Sequence, residues 1–339
     1  MDLDRELADF RKAIRDLETE IRRVVVGQDQ VVHQILVCLL AGGHALLEGA
    51  PGLGKTLLVR TLARSLRLVF SRIQFTPDLM PADVTGTEVI VEDADGRKRF
   101  EFRKGPVFGN IVLADEINRA TPKTQSALLE AMQEGGVTVA GQRHTIDPPF
   151  FVLATENPIE MEGTYPLPEA QLDRFLFKIL VPSPDEATLV RIVEATTGAA
   201  AQEPRPVLDG PRLLAILDFA RRVPVAAPLV QYAARLVRAT QPESGSAAPA
   251  ARKHLRYGAG VRGAQALVLA AKVEALLAGR VHVAFEDLRA VAKPALRHRL
   301  ILNFEGEAEA VLPDAIVDAV LDGMPEVPAE VSRLGASGT

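Results

Sequence analysis

An octapeptide, Gly49-Ala50-Pro51-Gly52-Leu53-Gly54-Lys55-Thr56, stands between two apolar runs, Ala45-Leu46-Leu47 and Leu57-Leu58-Val59. It fits the pattern G-x-x-x-x-G-K-[ST] without a mismatch, and at average composition such a match arises by chance in roughly one chain of this length per hundred. Its glycines let the backbone curl so that successive N–H groups face one anion at a helix N-terminus. That geometry needs a strand on one side and a helix on the other, so the octapeptide predicts a strand–loop–helix unit and, with it, an α/β fold. Lys55 is placed to reach the β- and γ-phosphates of a nucleoside triphosphate, ATP being the expected one, and the Thr56 hydroxyl to ligate Mg²⁺.

The rest of the first half keeps this rhythm. Leu3, Leu7, Phe10, Ile14, Leu17 and Ile21 alternate spacings of four and three, the stripe of an amphipathic helix. Gly27-Gln28 breaks it, and a second helix is expected from Asp29 to Leu40. Short apolar runs near 44–48, 69–74, 110–114, 150–154 and 175–181 predict strands of a parallel sheet covered on both faces. A helix capped by Thr121, with Pro122 in its first position and Gly135-Gly136 at its end, separates the third and fourth. Two hairpins interrupt the alternation: 89–91 with 100–102 about Asp95-Gly96, and 137–139 with 144–146 about Gly141-Gln142.

At 339 residues the chain is long enough for two cores. After Pro182-Ser183-Pro184 it reads as helices: Pro211 to Arg221, Pro228 to Gln241, Val261 to Leu277, Phe285 to Lys293 and Pro313 to Leu321. The stretch Glu243 to Pro249 reads as a flexible loop. The expected division is a nucleotide-binding core with its N-terminal helix over 1–182, a helical domain over 183–325, and a frayed tail over 326–339.

Two further strand ends carry chemistry. Asn110 to Ala114 is an apolar run ending on adjacent acids, Asp115 and Glu116. Asp115 is placed to hold Mg²⁺ directly or through water, and Glu116 to polarise an attacking water, the general-base role of hydrolysis. The run Phe150 to Ala154 leads to Asn157, an amide that could bond the γ-phosphate or the lytic water. Charge narrows the partners. Lys and Arg total 39 against 44 Asp and Glu, aromatic residues are 5% and Trp is absent, a poor composition for a nucleic-acid binder. The single cysteine, Cys38, lies in an apolar helical pattern and is expected as a core thiol in a reducing compartment. No run of 18 apolar residues and no signal peptide is evident, so a cytoplasmic protein without a membrane span is expected. The scattered histidines predict no bound transition metal.

In this order, strand, phosphate loop, Asp-Glu strand, Asn-tipped strand and helical domain resemble the AAA+ ATPases. Gln74 to Pro81 with Asp83 to Gly86, Asp115 to Ala120, Glu156-Asn157-Pro158 and Glu162 to Phe175 resemble the MoxR family in particular, over residues 26–321. The resemblance implies an AAA+ P-loop core with β-hairpin insertions followed by a small all-α lid. It implies that Gly27 and Gln28 line the adenine pocket, and that Arg174 is an arginine finger reaching the next subunit's nucleotide. It implies that Arg262 is the lid's sensor arginine. The family's Ser-Pro before that arginine is here Gly260-Val261. A finger is worth about 10³–10⁵ in turnover only if something delivers it, which a ring of copies does. A homohexamer is therefore expected. The family further implies chaperone-like remodelling or maturation of a client complex, including metal-cofactor insertion, with a partner carrying a von Willebrand factor A domain. A nucleic-acid motor and a metal-chelatase motor subunit are the alternatives.

Overall fold

The computed structural model describes residues 2–92, 97–157, 163–197 and 203–326. The Asp95-Gly96 turn, Pro158, Glu162 and the tail from residue 327 lie outside the described residues. The chain divides into two compact units, one of residues 12–175 and 179–216, the other of residues up to 11, 176–178 and 217 onward.

Among the described residues up to Leu180 there are nine strands: β1 (Ala45–Glu48), β2 (Phe70–Gln74), β3 (Gly86–Glu92), β4 (Lys98–Lys104), β5 (Ile111–Asp115), β6 (Gly136–Val139), β7 (Gln142–Thr145), β8 (Phe151–Glu156) and β9 (Phe177–Leu180). Five of them, the five expected from the apolar runs, form one sheet in the order β2-β5-β8-β1-β9. The others form two antiparallel hairpins, β3 with β4 and β6 with β7. Position in the sheet follows composition. β5 and β8 are apolar up to their polar ends (Asp115; Thr155 and Glu156), lie inside, and are buried except at their last residues. β2 carries Ser71, Arg72 and Gln74, and it is an edge strand in which only Ile73 is buried.

Helices α1 (Asp2–Val24), α2 (Asp29–Leu40), α3 (Lys55–Ser65), α4 (Pro81–Thr85), α5 (Pro122–Glu134), α6 (Glu169–Leu172) and α7 (Glu186–Thr197) accompany these strands. The stripe on α1 is buried from Phe10 through Ile14, Leu17 and Ile21, whereas Leu3 is exposed. Cys38 is buried in α2, as expected. On α5 the expected Pro122 and Gly135 boundaries hold, but Thr121 does not cap with its side chain: its hydroxyl faces that of Thr124 at 3.3 Å, and only its backbone carbonyl accepts from the first turn. The second hairpin turns one residue earlier than expected. Ala140 and Gly141 both take positive φ, 48° and 81°, as a two-residue turn demands, and Gln142 already pairs with Val139.

His44, just before β1, is locked between elements. Its Nδ1 accepts from the Val152 N–H at 3.0 Å and its Nε2 donates to the Met132 carbonyl at 3.2 Å. The ring keeps some accessible edge, but both nitrogens face inward, and removal from water pushes its pKa down to about 4. An unfolded histidine takes a proton near pH 6.5, so this contribution is whole above that pH and is lost as pH falls toward 4, by up to about 3 kcal/mol. In urea unfolding, the stability difference between wild type and His44→Asn should shrink across that window. A pH-independent difference would refute it.

Downstream lie α8 (Gly210–Arg222), α9 (Ala227–Thr240), α10 (Pro249–His254), α11 (Val261–Leu277), α12 (Phe285–Ala290), α13 (Ala292–Leu296), α14 (Phe304–Ala308) and α15 (Pro313–Asp322). A small antiparallel pair, β10 (Leu255–Tyr257) and β11 (Ile301–Leu302), joins them. The centre is α11, whose buried face of Gly263, Ala266, Leu267, Ala270 and Ala271 admits close neighbours. The single helix expected from Phe285 to Lys293 is two, because Pro294 has no N–H for the carbonyl of Ala290 and forces a new start. The stretch expected as a flexible loop is a set of turns closed by Ser244 N–H to Gln241 O, Ala247 N–H to Ser244 O and Ala248 N–H to Ala239 O. No described helix is long and apolar enough to cross a membrane.

Candidate nucleotide site

Parallel strands bring their carboxyl ends to one edge, and the register fixes which residues meet there. Glu48 pairs with Glu156, and Gln74 with Asp115. The octapeptide leaves this edge from β1 and enters α3, whose first residue is Lys55. Gly54 precedes it at φ 76° and Gly52 takes φ 81°, backbone that other residues rarely adopt. The Lys55 ammonium donates to the Gly49 carbonyl at 2.6 Å, closing the loop on itself. Burial lowers its pKa, and the neighbouring Asp115, Glu116 and Glu48 oppose that shift. The arrangement is a cationic cradle at a helix N-terminus, able to take a polyphosphate.

A cavity of about 1100 Å³ adjoins the loop, lined in part by Val26, Gly27, Gln28, Leu53, Thr188 and Ile192. That is room for a mononucleotide. Gln28 donates from Nε2 to the Leu53 carbonyl at 2.6 Å, so the Gly27-Gln28 segment is tied to the phosphate loop. Gly27 has φ 76°, and a Cβ there would lie 2.0 Å from Thr188 Cγ2 on α7. Gly27→Ala should therefore both strain the backbone and push α7 outward, costing about 1–3 kcal/mol. Thermal unfolding and nucleotide titration measure it, and a variant equal to wild type in both would remove Gly27 from the pocket's construction.

The two acids at the end of β5 are held by a network. Thr155 on β8, buried, donates from Oγ1 to Asp115 Oδ1 at 2.7 Å and accepts the Glu116 N–H at 2.8 Å. That second bond steadies Glu116 in left-handed backbone, φ 56°. Arg72 donates to Asp115 Oδ2 from Nη2 at 2.7 Å and Nε at 3.2 Å. Glu116 Oε2 accepts from Gln74 Nε2 and from Arg119 Nη1, both at 3.0 Å. Sequence reading missed Arg72, Gln74, Arg119 and Thr155. The signal for two of them was available, since Arg72 and Gln74 are polar residues two apart at the end of a predicted strand and so share one face.

Asn157 follows β8 and is buried. Arg174 lies two residues past α6. Its Nε is buried without a hydrogen-bond partner, and it forms no ion pair among the described residues. Arg262 is the second residue of α11, half-buried, and belongs to the other compact unit. The structure thus brings Gly27, Gln28, the octapeptide and Asp115-Glu116 into one unit with Asn157 and Arg174. For a divalent cation, the Thr56 hydroxyl and the Asp115 carboxylate are hard oxygen donors of the type Mg²⁺ takes.

The model of the ATPase family associated with various cellular activities (AAA) matches residues 44–177, and that of the AAA lid domain matches residues 247–320. Chaperone MoxR1 of Mycobacterium tuberculosis is 44% identical over 91% of this chain and 81% of its own length. Protein MoxR of Methylorubrum extorquens is 34% identical over 95% of this chain and 97% of its own. A crystal structure of a candidate ATPase from Cytophaga hutchinsonii superposes with a TM-score of 0.87 at 40% identity, covering 95% of this chain and 97% of that one. With a parallel five-stranded AAA domain, a helical lid and relatives of that name along nearly its whole length, the chain belongs to the MoxR family of AAA ATPases.

Proposed function

We propose that the chain binds ATP with Mg²⁺ at the 49–56 loop, hydrolyses it within a homohexameric ring, and uses the cycle to remodel a partner protein complex in the cytoplasm. The observation that carries the hydrolytic part is the meeting of Lys55, from the phosphate loop, with the adjacent Asp115 and Glu116, from the end of β5, at one sheet edge. In this reading the α3 N-terminus and Lys55 hold the phosphates, Thr56 and Asp115 hold the metal, and Gly27 and Gln28 border the base. Bound Mg²⁺ would neutralise charge on the phosphates. Glu116 takes the proton of the attacking water, and Asn157 orients that water or the γ-phosphate. Arg262 is the lid's sensor arginine.

The ring is supported by Arg174, whose Nε is buried without a hydrogen-bond partner among the described residues. Delivered to a neighbour's nucleotide, it completes a site that one chain leaves incomplete. Light scattering with an ATP analogue should show a hexamer, and a monomer at micromolar concentration would end the ring reading. Mixing Arg174→Ala chains with wild type should change turnover non-linearly with the mixing ratio. A strictly proportional loss would place the arginine's action within its own chain. For the client, the chaperone name of the Mycobacterium tuberculosis relative supports a protein complex. A partner with a von Willebrand factor A domain and metal-cofactor insertion belong to the same proposal.

A further inference from the structure

Arg72 sits on the edge strand β2, two residues before Gln74 and in register with Leu113. Its guanidinium grips one oxygen of Asp115 with two nitrogens, while Thr155 holds the other. Both oxygens of the carboxylate assigned to the metal are therefore already engaged by donors of this chain. Arg72 Nη2 also donates to Gln74 Oε1 at 2.6 Å. That bond sets the amide: its oxygen must face the arginine, so its nitrogen faces Glu116, whose Oε2 it reaches at 3.0 Å. One cation thus touches Asp115 directly and Glu116 through a single amide.

Exposure gives this arrangement a direction. The Asp115 side chain is only 14% exposed, while that of Arg72 is 47% exposed. A carboxylate so enclosed needs a cation or donors at all times. The arginine, by contrast, can turn into water at small desolvation cost. Mg²⁺ held by Asp115 would share that carboxylate with the guanidinium, and two cations on one carboxylate repel each other.

We propose that Arg72 is a built-in counter-cation that competes with divalent metal for Asp115. This rests on the reading of Asp115 as a metal-holding residue. Such competition is reciprocal: weakening the Arg72 grip must favour metal.

The test follows thermal unfolding of the full chain with a non-hydrolysable ATP analogue while MgCl₂ is titrated at constant ionic strength. The half-saturating Mg²⁺ concentration should fall by about tenfold in Arg72→Gln, equivalent to about 1.4 kcal/mol at 25 °C. Arg72→Lys, which keeps the charge but loses the two-nitrogen grip, should fall between the two and serves should the glutamine variant not fold. A half-point at or above wild type in these variants overturns the competition, and a rise in particular would mean that Arg72 helps to hold the nucleotide. Asp115→Asn is measured in parallel. If it abolishes the Mg²⁺ dependence while the arginine variants match wild type, only the competition falls. If it leaves that dependence intact, Asp115 does not hold the metal and both readings fall together.

Discussion

Lys55→Ala is expected to weaken ATP binding on the order of 10²–10⁴-fold, the scale of breaking a partly buried charge pair. The side chain is half-buried, and its ammonium has been drawn in against desolvation by Asp115, Glu116 and Glu48. Removing it does two things at once. The phosphates lose their point cation, and three carboxylates at the same sheet edge lose the positive charge that offsets them. The entering polyphosphate then meets a net negative site, so the loss should exceed that of one neutral hydrogen bond. The fold should survive, because among the described residues the Lys55 ammonium hydrogen-bonds to the Gly49 carbonyl in its own loop, a group that water can satisfy in its place. Equilibrium titration with a fluorescent ATP analogue, alongside thermal unfolding of the empty protein, measures both halves. Unchanged affinity would refute the phosphate-loop assignment, and a collapse in melting temperature without nucleotide would show a structural role instead.

The core was legible because its signals are local and redundant. Each inner strand is an apolar run followed by a chemically distinct end, and β5 and β8 need no long-range information to be read. The Pro122 and Gly135 boundaries of α5 were readable for the same reason: each acts through its own backbone. Where several weak signals compete, the reading fails. Helix α7 was missed although Leu189, Ile192 and Val193 stand at helical spacing: that run is short, and in the structure only Thr188 is buried on the helix, Leu189, Val190 and Val193 remaining about half exposed. Its start is set by the Asp185 carboxylate accepting the Thr188 N–H at 2.8 Å, a short-range cap hidden behind Pro182-Ser183-Pro184. The β10–β11 pair, of three and two residues, lies below the length at which alternation can show.

The site was legible in its motif residues but not in what holds them. The octapeptide and Asp115-Glu116 announce themselves by residue type and spacing. Thr155 does not, since a threonine inside an apolar strand is usual, and its bridge between Asp115 and Glu116 exists only once β5 and β8 are adjacent. Arg72 and Gln74 depend likewise on the pairing of β2 with β5, and the 43 residues from Arg72 to Asp115 are no guide to which strands become neighbours. Arg119 could have been found from Glu116 three residues earlier, a spacing that lets side chains meet on one turn.

Glu116→Gln is expected to bind ATP with near wild-type affinity and to turn it over about 10²–10⁴-fold more slowly, the usual contribution of a positioned general base. The substitution is conservative in this setting. Glu116 keeps its left-handed backbone through the Thr155 bond to its N–H, which the amide variant retains. Its Oε2 accepts from Gln74 and Arg119, and a glutamine oxygen can accept both. What the amide cannot do is take a proton, so the chemical step should fail while the pocket persists. Single-turnover hydrolysis and ATP titration on the same preparation separate these effects. Normal turnover would remove Glu116 as the base, and lost affinity would assign it to binding. Because such a variant holds its ATP-loaded state, it is also the form with which to isolate the client: an ATP-dependent, ADP-insensitive protein partner would support remodelling, whereas nuclease-sensitive nucleic acid in its place would overturn it.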